Sequence, residues 1–222
     1  MKTCVIIPTY NESKAIGGIV REIISKRKFD VVVVDDGSSD KTGKIASDNG
    51  AVVIYNKTNL GKGFALKQGF KYALDNGYEA VITMDGDGQH HHEDIDNFIN
   101  ASLDEDVAIV VGNRMLEMKN MPFVRKITNK VMSSVISLAC KQAIPDSQCG
   151  FRLIKREVLE NIDLKTDKYE IESELLIKAA KLNHKIKSVN IRTIYTGQKS
   201  QINPFVDTFR FIRFILKEYF GK

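Results

Sequence analysis

The chain has 222 residues, enough for one substantial hydrophobic core but too few for two comfortable domains. Hydrophobic residues make up 43% of it and charged residues 27%, a globular composition that argues against a disordered chain. The formal net charge of +5 suits phosphate-bearing partners or an anionic membrane surface, and is too small to indicate nucleic acid by itself.

Cysteine usage and hydropathy limit where the protein works. The three cysteines, Cys4, Cys140 and Cys149, are widely spaced, which predicts a reducing compartment without a disulfide framework or a cysteine metal site. The first residues run straight into a strand pattern, so we expect no signal peptide. No uncharged apolar stretch approaches the ~20 residues that span a bilayer. We therefore expect a cytoplasmic protein, attached to a membrane only peripherally.

Short β-branched runs alternate with helical patterns in the first half of the chain. We predict strands at 3–8, 31–35, 51–55, 81–85 and 107–111, with apolar helical stripes at 16–24, 64–74 and 95–103. Continuous apolar strands suit a sheet that is covered on both faces. The alternation predicts an α/β protein with a Rossmann-like, mostly parallel sheet, whose ligands bind beyond the carboxyl ends of the strands.

The second half has longer helical patterns. Strands are predicted at 150–154 and 186–191, and helices at 124–143, 169–182 and 205–220. Five apolar residues share one side of the first of these helices: Val124, Ile127, Val131, Val135 and Leu138. Without an internal repeat or a flexible linker, the chain is predicted to form one domain over 1–204, followed by an amphipathic helix over 205–222.

Carboxylates follow three of the predicted strands. They lie in the segments 8–12 (PTYNE), 35–40 (DDGSSD) and 85–90 (DGDGQH). Any one such turn is ordinarily a helix cap or a solvated loop. The three together would meet at one sheet edge, where their charges repel and favour a bound cation.

The turn Asp85-Gly86-Asp87 is the most informative of the three. Two carboxylates separated by one small residue can face the same ion. Mg²⁺ prefers a few carboxylates, water and substrate phosphates to a complete protein cage. The turn therefore predicts a clamp in which Mg²⁺ or Mn²⁺ holds a diphosphate, although this short pattern is common by chance.

Seven segments in order resemble the family 2 glycosyltransferases of the GT-A fold, and most of all the dolichol-phosphate mannose synthase and polyprenyl-phosphate glucosyltransferase branch. The resemblance spans about the first 200 residues. The segments are VIIPTYNE, VVVVDDGSSDKT, NLGKG, MDGDGQH, VGNRM, DSQCGFRLIKREVL and YEIESELLIKAAK. Each is weak alone, but their order and spacing together are highly specific.

The resemblance implies roles for residues at matching positions. Residues of the first two turns would seat the base and ribose of a nucleotide sugar, residues of the third would hold metal and diphosphate, and later basic residues would contact phosphates. The base and ribose group is Pro8, Tyr10, Glu12 and Asp36. The metal and diphosphate group is Asp85, Gly86, Asp87 and Gln89. The basic group is Arg114, Arg192 and Lys199. Asp87, Arg114 and Arg192 are the predicted catalytic residues, and Asp85, Asp87 and Gln89 the predicted metal ligands. A solvated surface charge is the alternative for each basic residue.

Two local features depart from the pattern or invite another reading. The family often has His-Pro-Pro-Glu after the metal motif, whereas this chain has His90-His91-His92-Glu93, which leaves the local turn less defined. Three adjacent histidines suggest a metal site, but helical geometry disfavours their convergence. Cys149 could suggest a thiol nucleophile, and we expect instead a buried small residue.

The acceptor is inferred from an absence. Relatives that glycosylate hydroxyl groups carry an acidic base in the second half, and the comparable segment here, 170–174 (EIESE), offers no clear candidate. A phosphate monoester has a second pKa of about 6, so it is largely dianionic at neutral pH and can attack without a protein base. The enzyme would then supply positioning, charge neutralisation and leaving-group stabilisation.

The C-terminal pattern provides a second indication of the acceptor. Aromatic and aliphatic residues at helical spacing over 205–220 are bordered by Arg210, Arg213 and Lys217, a combination that suits the membrane interface. A core-packing or dimer helix is the alternative.

The predicted function is an inverting transfer of a hexose from GDP-mannose or UDP-glucose to a polyprenyl or dolichyl phosphate, at the cytoplasmic membrane face. A glycosyltransferase acting on a sugar hydroxyl and a non-catalytic nucleotide-sugar-binding protein are the alternatives. Nucleic acid is not an expected partner, because the basic residues are dispersed. The oligomeric state is left open.

Overall fold

A computed structural model describes residues 1–27, 29–115, 123–194 and 210–215. Its centre is a sheet of seven strands in the order β3-β2-β1-β4-β6-β5-β7. The strands are β1 (Thr3–Thr9), β2 (Asp30–Asp35), β3 (Val52–Tyr55), β4 (Ala80–Thr83), β5 (Val107–Asn113), β6 (Arg152–Lys155) and β7 (Lys185–Asn190). All neighbours pair in parallel except β6, which is antiparallel to both β4 and β5. The predicted α/β class with a mostly parallel sheet is confirmed.

Runs of valine and isoleucine explain why these segments form the inner strands. Val5, Ile6 and Ile7 of β1 are fully buried. In the run 107–111 of β5, no residue is more than 1% exposed. In these two runs the side chains on both faces are covered, as expected when helices pack on both sides of a parallel sheet. β3 is an edge strand, and its first and last residues are exposed.

Seven helices are labelled in chain order. They are α1 (Ile16–Glu22), α2 (Thr42–Asp48), α3 (Lys62–Asp75), α4 (Ile95–Ser102), α5 (Phe123–Cys140), α6 (Arg156–Asn161) and α7 (Ile171–Lys181). A π-helical turn, Ile23–Arg27, continues α1, and a 3-10 turn, His92–Asp94, precedes α4. The sequence patterns missed α2 and α6, because helices of seven and six residues are too short to show a clear period.

Three residues of the apolar stripe predicted on α5 are exposed, whereas Val135 is partly buried against the core. Ile127, Val131 and Leu138 are 48%, 57% and 80% exposed. The opposite side of the helix is buried and more polar: it includes Asn129, Ser133, Ile136 and Cys140. The hydroxyl groups of Ser133 and Ser137 form hydrogen bonds with the loop that precedes β6, while Ile136 and Cys140 pack in the core.

Part of the predicted C-terminal helix lies within the described residues. Residues 210–215 are helical, and Phe211 and Phe214 are buried in the main hydrophobic core, whereas Ile212 is about half exposed. The remainder of the segment 205–222 lies outside the described residues. Among the helices that are described, none combines the length and the apolar character that crossing a bilayer demands.

Candidate active site

The carboxylate turns meet where the strand order reverses. The chain passes from β1 outward to β2 and β3, and then returns to place β4 on the other side of β1. Such a switch point leaves a crevice at the carboxyl ends of the central strands, which is where open α/β sheets bind ligands. The turns after β1, β2 and β4 all lie at this edge, as the sequence predicted.

The first two turns are joined by hydrogen bonds from backbone to side chain. The backbone N–H of Asn11 donates to Ser38 Oγ at 2.9 Å, and the N–H of Ser39 donates back to Asn11 Oδ1 at 2.8 Å. The N–H of Glu12 donates to Thr42 Oγ1 at 2.8 Å. Asn11 has a φ of 58°, a left-handed conformation that asparagine tolerates better than most residues. These bonds fix the position of Glu12 at the rim of the crevice.

Asp36 is buried and its carboxylate anchors the loop before α3. It accepts hydrogen bonds from Asn56 Nδ2 at 2.8 Å, from the N–H of Leu60, and from the N–H of Gly61 at 2.6 Å. The structure thus assigns Asp36 a role in shaping the segment NLGKG. The direct contact with base or ribose predicted for Asp36 stays a prediction.

Pro8, Tyr10 and Glu12 line the end of β1. Pro8 pairs in register with Val34 of β2, and Tyr10 and Glu12 are partly buried just beyond the strand. Burial, followed by the nearby charges of Asp87, Asp40 and Asp85, raises the pKa of Glu12 to about 7. A carboxyl group perturbed in this way marks an electronegative crevice, as expected where a cation or phosphate-bound metal docks.

The turn after β4 brings the two predicted metal ligands to the same edge. The N–H of Gln89 donates to Asp87 Oδ1 at 2.9 Å, and Gly86 packs so closely on β1 that a Cβ would lie 2.7 Å from Thr9 Cγ2. Burial and the neighbouring charge of Asp85 raise the pKa of Asp87. Gln89 contributes its backbone to the turn, and its predicted side-chain role as a metal ligand stays a prediction.

Asp85 forms an ion pair that the sequence patterns did not reveal. Lys62 Nζ, from the first turn of α3, lies 2.5 Å from Asp85 Oδ1 and 2.6 Å from Glu172 Oε1 on α7. Gly150 makes room for this arrangement: a Cβ there would lie 2.7 Å from both Asp85 carboxylate oxygens and 2.8 Å from Lys62 Nζ. The segment NLGKG drew attention to Lys62, but only the fold identifies its partners.

The charges around Lys62 set its protonation state and that of Asp85. Burial opposes the charged lysine, yet Asp85 and Glu172 together raise the pKa of Lys62 above its usual range. Burial also opposes ionised Asp85, but the Lys62 ammonium, with His90, holds its pKa well below its usual range. Asp85 is therefore an ionised carboxylate at neutral pH, with a permanent cation beside it.

Arg114 lies at the carboxyl end of β5 and is buried. Its guanidinium donates two hydrogen bonds to Asp146, from Nε at 2.7 Å and from Nη2 at 2.9 Å. Asp146 is fully buried and also accepts a bond from the N–H of Arg114 at 3.2 Å. The charge of Arg114 also lowers the pKa of Asp85, after the larger effects of Lys62 and His90. Arg114 therefore acts on the carboxylate edge, and its predicted contact with substrate phosphate stays a prediction.

Arg192 follows β7 and is held by two acidic residues of the 3-10 turn that precedes α4. Its Nε and Nη2 donate to Asp94 Oδ1 at 3.0 and 2.9 Å, and its Nη1 donates to Glu93 at 3.1 Å. The side chain is 47% exposed, so it could exchange these partners for a phosphate. Lys199, the third predicted basic residue, lies outside the described residues.

The three histidines have different partners. His90 accepts a hydrogen bond at Nδ1 from the N–H of Asp85 at 3.2 Å, and its ring packs on Phe151. His91 faces Glu93, while His92 Nδ1 lies 2.9 Å from Glu22. In the parts of the chain that the structure describes, no three His, Cys, Asp or Glu side chains are grouped so that they could hold a metal ion.

Cys149 is fully buried, as the sequence predicted. Burial raises the pKa of its thiol to about 12, so the reactive thiolate is not populated at neutral pH.

The donor set at the β4 turn fits a hard divalent cation. Two carboxylates, from Asp85 and Asp87, share the turn, and burial together with the charge of Asp85 raises the pKa of Asp87, which no described cation pairs with. Mg²⁺ and Mn²⁺ favour carboxylate, water and phosphate oxygens, and readily complete their octahedron with substrate phosphates. Two carboxylates plus a donor diphosphate would satisfy that requirement.

The fold and the site define a mostly parallel α/β protein with a carboxylate-lined crevice at a topological switch point. Glucosyl-3-phosphoglycerate synthase of Mycobacterium tuberculosis, solved with Mn²⁺, UDP and glucosyl-3-phosphoglycerate, superposes with a TM-score of 0.76 at 18% identity. The match covers 98% of this chain and 79% of that one. At such low identity the likeness shows the GT-A fold alone.

The family follows from the sequence. Residues 4–163 match the model of glycosyl transferase family 2. A UDP-N-acetylglucosamine–dolichyl-phosphate N-acetylglucosaminyltransferase of Methanococcus voltae is 34% identical over 213 residues, covering 86% of this chain and 85% of the relative. An undecaprenyl-phosphate mannosyltransferase of Micrococcus luteus is 30% identical over 205 residues, covering 86% and 83%. The chain belongs to glycosyl transferase family 2, and it is a glycosyltransferase.

Proposed function

We propose that this enzyme transfers a hexose or N-acetylhexosamine from a nucleoside diphosphate sugar to a polyprenyl-type phosphate, with inversion at the anomeric carbon. The observation that carries the donor side is the pair Asp85 and Asp87 at the switch point, beside the Glu12 turn. The relatives from Methanococcus voltae and Micrococcus luteus, whose names specify lipid phosphate acceptors, support the acceptor side.

On the donor side, Asp85 and Asp87 would hold Mg²⁺ or Mn²⁺. The bound cation would neutralise the charge that develops on the departing nucleoside diphosphate. Pro8, Tyr10 and Glu12 would face the nucleoside, because they lie at the end of β1 beside the metal turn. Asp36 would act through the loop that it anchors before α3, in addition to any direct contact.

On the acceptor side, the two carboxylates of α7, Glu172 and Glu174, have structural partners. Glu172 accepts from Lys62, while Glu174 is buried and accepts from the N–H groups of Lys165 and Thr166. A phosphate acceptor needs no base, because it is already ionised at neutral pH. Arg114 and Arg192 would then stabilise the phosphates, with Arg192 exchanging its surface partners.

A lipid acceptor requires the enzyme to reach a membrane surface, and we propose peripheral contact through the C-terminal segment 205–222. Within the described part of that segment, Arg213 and Ile212 are exposed while Phe211 and Phe214 pack on the core. This arrangement would fasten the segment to the domain by one face and leave the basic, partly apolar face for anionic lipid. The contact would be on the cytoplasmic side.

The test is a panel of UDP- and GDP-sugars, each labelled in the sugar and incubated with Mn²⁺ and undecaprenyl phosphate. Label that moves into the organic phase is the expected result. Undecaprenol, which lacks the phosphate, is the matched acceptor control and should receive no label. Transfer to soluble oligosaccharide but not to lipid phosphate would instead establish the hydroxyl-acceptor function. Binding of a nucleotide sugar without turnover on any acceptor would favour a non-catalytic protein.

Liposome flotation tests the membrane contact separately. The intact chain should float with anionic vesicles at low salt, and a chain truncated before Phe205 should float less while still binding nucleotide sugar. Flotation unchanged by the truncation would remove the C-terminal segment from the proposal.

A further inference from the structure

The ammonium group of Lys62 lies so close to Asp85 that its positive charge disfavours the binding of a second cation there. Its ammonium lies between two carboxylates, 2.5 Å from Asp85 and 2.6 Å from Glu172, with only 17% of its side chain exposed. A divalent ion bound to Asp85 would therefore sit close to a fixed positive charge in a partly buried site. Like charges at such separations repel strongly when water is largely excluded.

The other protein ligands at this turn do not offset the repulsion between Lys62 and a bound metal ion by themselves. The Asp85–Asp87 turn supplies two carboxylates, and no larger group of metal-binding side chains exists among the described residues. A nucleoside diphosphate adds several negative charges beside the same turn. Those charges give the metal more oxygen ligands and give Lys62 a new anionic partner.

We propose that Lys62 couples metal binding to donor binding: its ammonium holds Asp85 in the nucleotide-free enzyme and turns to the diphosphate when the donor and metal bind together. Lys62 is thus a positioning residue that lowers the affinity for metal alone and raises the affinity for the metal–nucleotide pair. Binding free energies are reciprocal, so metal and nucleotide strengthen each other by the same factor. This inference rests on the proposed function, because it requires a nucleoside diphosphate donor.

Gly150 and Glu172 support the contact between Lys62 and Asp85. The missing side chain at Gly150 leaves the space in which Lys62 Nζ and the Asp85 carboxylate meet. Glu172 gives the ammonium a second anchor, and its backbone carbonyl accepts a bond from Arg152 Nη1 at 2.5 Å, which fixes this part of α7. Glu172 can hold Lys62 near the site while the contact with Asp85 is exchanged for a phosphate contact.

The test compares Mn²⁺ binding, without donor turnover, in the wild type and in the double variant Lys62→Met with Glu172→Gln. The double variant removes one positive and one negative charge, so the local net charge is unchanged and no carboxylate at position 172 is left unpaired. Lys71→Met is the matched control, because it removes an exposed lysine of the same helix that pairs with Asp75. Free Mn²⁺ is measured by electron paramagnetic resonance, alone and with UDP or GDP.

We expect the double variant to bind Mn²⁺ alone about fivefold or more tightly than the wild type, a modest effect for one neighbouring charge. In the wild type, the nucleotide should strengthen Mn²⁺ binding by about tenfold or more, after correction for Mn–nucleotide complexes in solution, and this factor should fall in the double variant. Lys71→Met should match the wild type in both measurements.

The possible failures are distinguishable. Unchanged or weaker binding of Mn²⁺ alone by the folded double variant would overturn the coupling role and leave Lys62 as a structural ion pair. Lys62→Met alone provides a second readout if the double variant does not fold, with the same direction expected. If neither UDP nor GDP binds with Mn²⁺ to the wild type, the proposed donor fails, and the inference fails with it.

Discussion

The two halves of the crevice use charged residues in different ways. In the first half, carboxylates lie in turns shaped by nearby backbone N–H groups, as in the bonds that Asp36 accepts from Leu60 and Gly61. In the second half, the predicted cations are already paired: Arg114 with Asp146, and Arg192 with Asp94. The first half therefore presents negative charge that Lys62 balances only in part, at Asp85, whereas the second half presents charges that are neutralised in place.

This difference suggests a division of labour. In the proposed function, a divalent metal and the donor diphosphate would complete the carboxylate edge, because clustered carboxylates favour a bound cation. Because the arginines are already paired, their guanidinium groups would be held in a fixed orientation before substrate phosphate binds. Lys62 joins the two regions, because it contacts Asp85 of the β4 turn and Glu172 of α7.

The largest effect is expected at the donor edge. Asp87→Ala should lower sugar transfer by on the order of 1,000-fold, because a metal ion stabilises several kcal/mol of charge on the leaving group. The side chain accepts a local bond from the N–H of Gln89, so the fold should persist. Transfer rates at saturating donor and Mn²⁺, with circular dichroism as the control for folding, check this. Full activity of the wild type in excess chelator would contradict the metal assignment.

A large effect on stability is expected in the second half. Arg114→Met leaves the fully buried Asp146 without its countercharge, so the free energy of unfolding should fall by about 3 kcal/mol or more. Arg192→Met also removes a countercharge, because Asp94 is only 4% exposed, but Arg192 itself is 47% exposed and the backbone N–H of residue 192 still donates to Asp94. The loss should therefore be smaller, about 1 to 2 kcal/mol. Urea unfolding of the two variants measures the contrast.

A double variant separates the ion pair from other causes. Arg114→Met with Asp146→Asn should recover part of the stability lost in Arg114→Met, since no unpaired buried charge remains. Equal losses in Arg114→Met and Arg192→Met would remove the proposed contrast between a preorganised arginine and an exchangeable one.

The smallest effect concerns the pH dependence of stability. The pKa of Glu12 is raised from 4.5 to about 7 in the folded protein, so between these values the folded state holds a proton that the unfolded state has lost. The free energy of unfolding should therefore decrease as pH rises through this window, and most of the contribution should be lost above the folded pKa. Because Glu12 is only partly buried, its contribution to the free energy of unfolding should be small.

Glu12→Gln isolates this contribution. Unfolding by urea in metal-free buffer from about pH 5 to about pH 8 should give a flatter profile for the variant than for the wild type. The backbone bond from Glu12 to Thr42 is kept in the variant, so the turn itself is preserved. Parallel profiles for the two proteins would show that Glu12 does not titrate in this range.

Some elements show how far local patterns can be trusted. In the stripe predicted over 16–24, Ile16, Val20 and Ile23 are fully buried, and Ile19 and Ile24 are partly buried against the core. The same kind of stripe on α5 is exposed at Ile127, Val131 and Leu138. Periodicity shows that a helix has two different faces, but it does not show which face meets the core, because that depends on the neighbouring elements.

The sequence by itself determined the α/β class, the family and the edge at which the carboxylate turns meet. The class and the edge follow from short-range information, because β-branched runs define strands and parallel strands present their carboxyl ends together. The family follows from the resemblance of seven segments in their order and spacing. Only the tertiary structure decided the partners of the charged residues. Arg114 pairs with a residue 32 positions away, Arg192 with one 98 positions away, and Lys62 with one 110 positions away. No local period encodes such pairings, because they arise only when distant elements pack and exclude water around the charges.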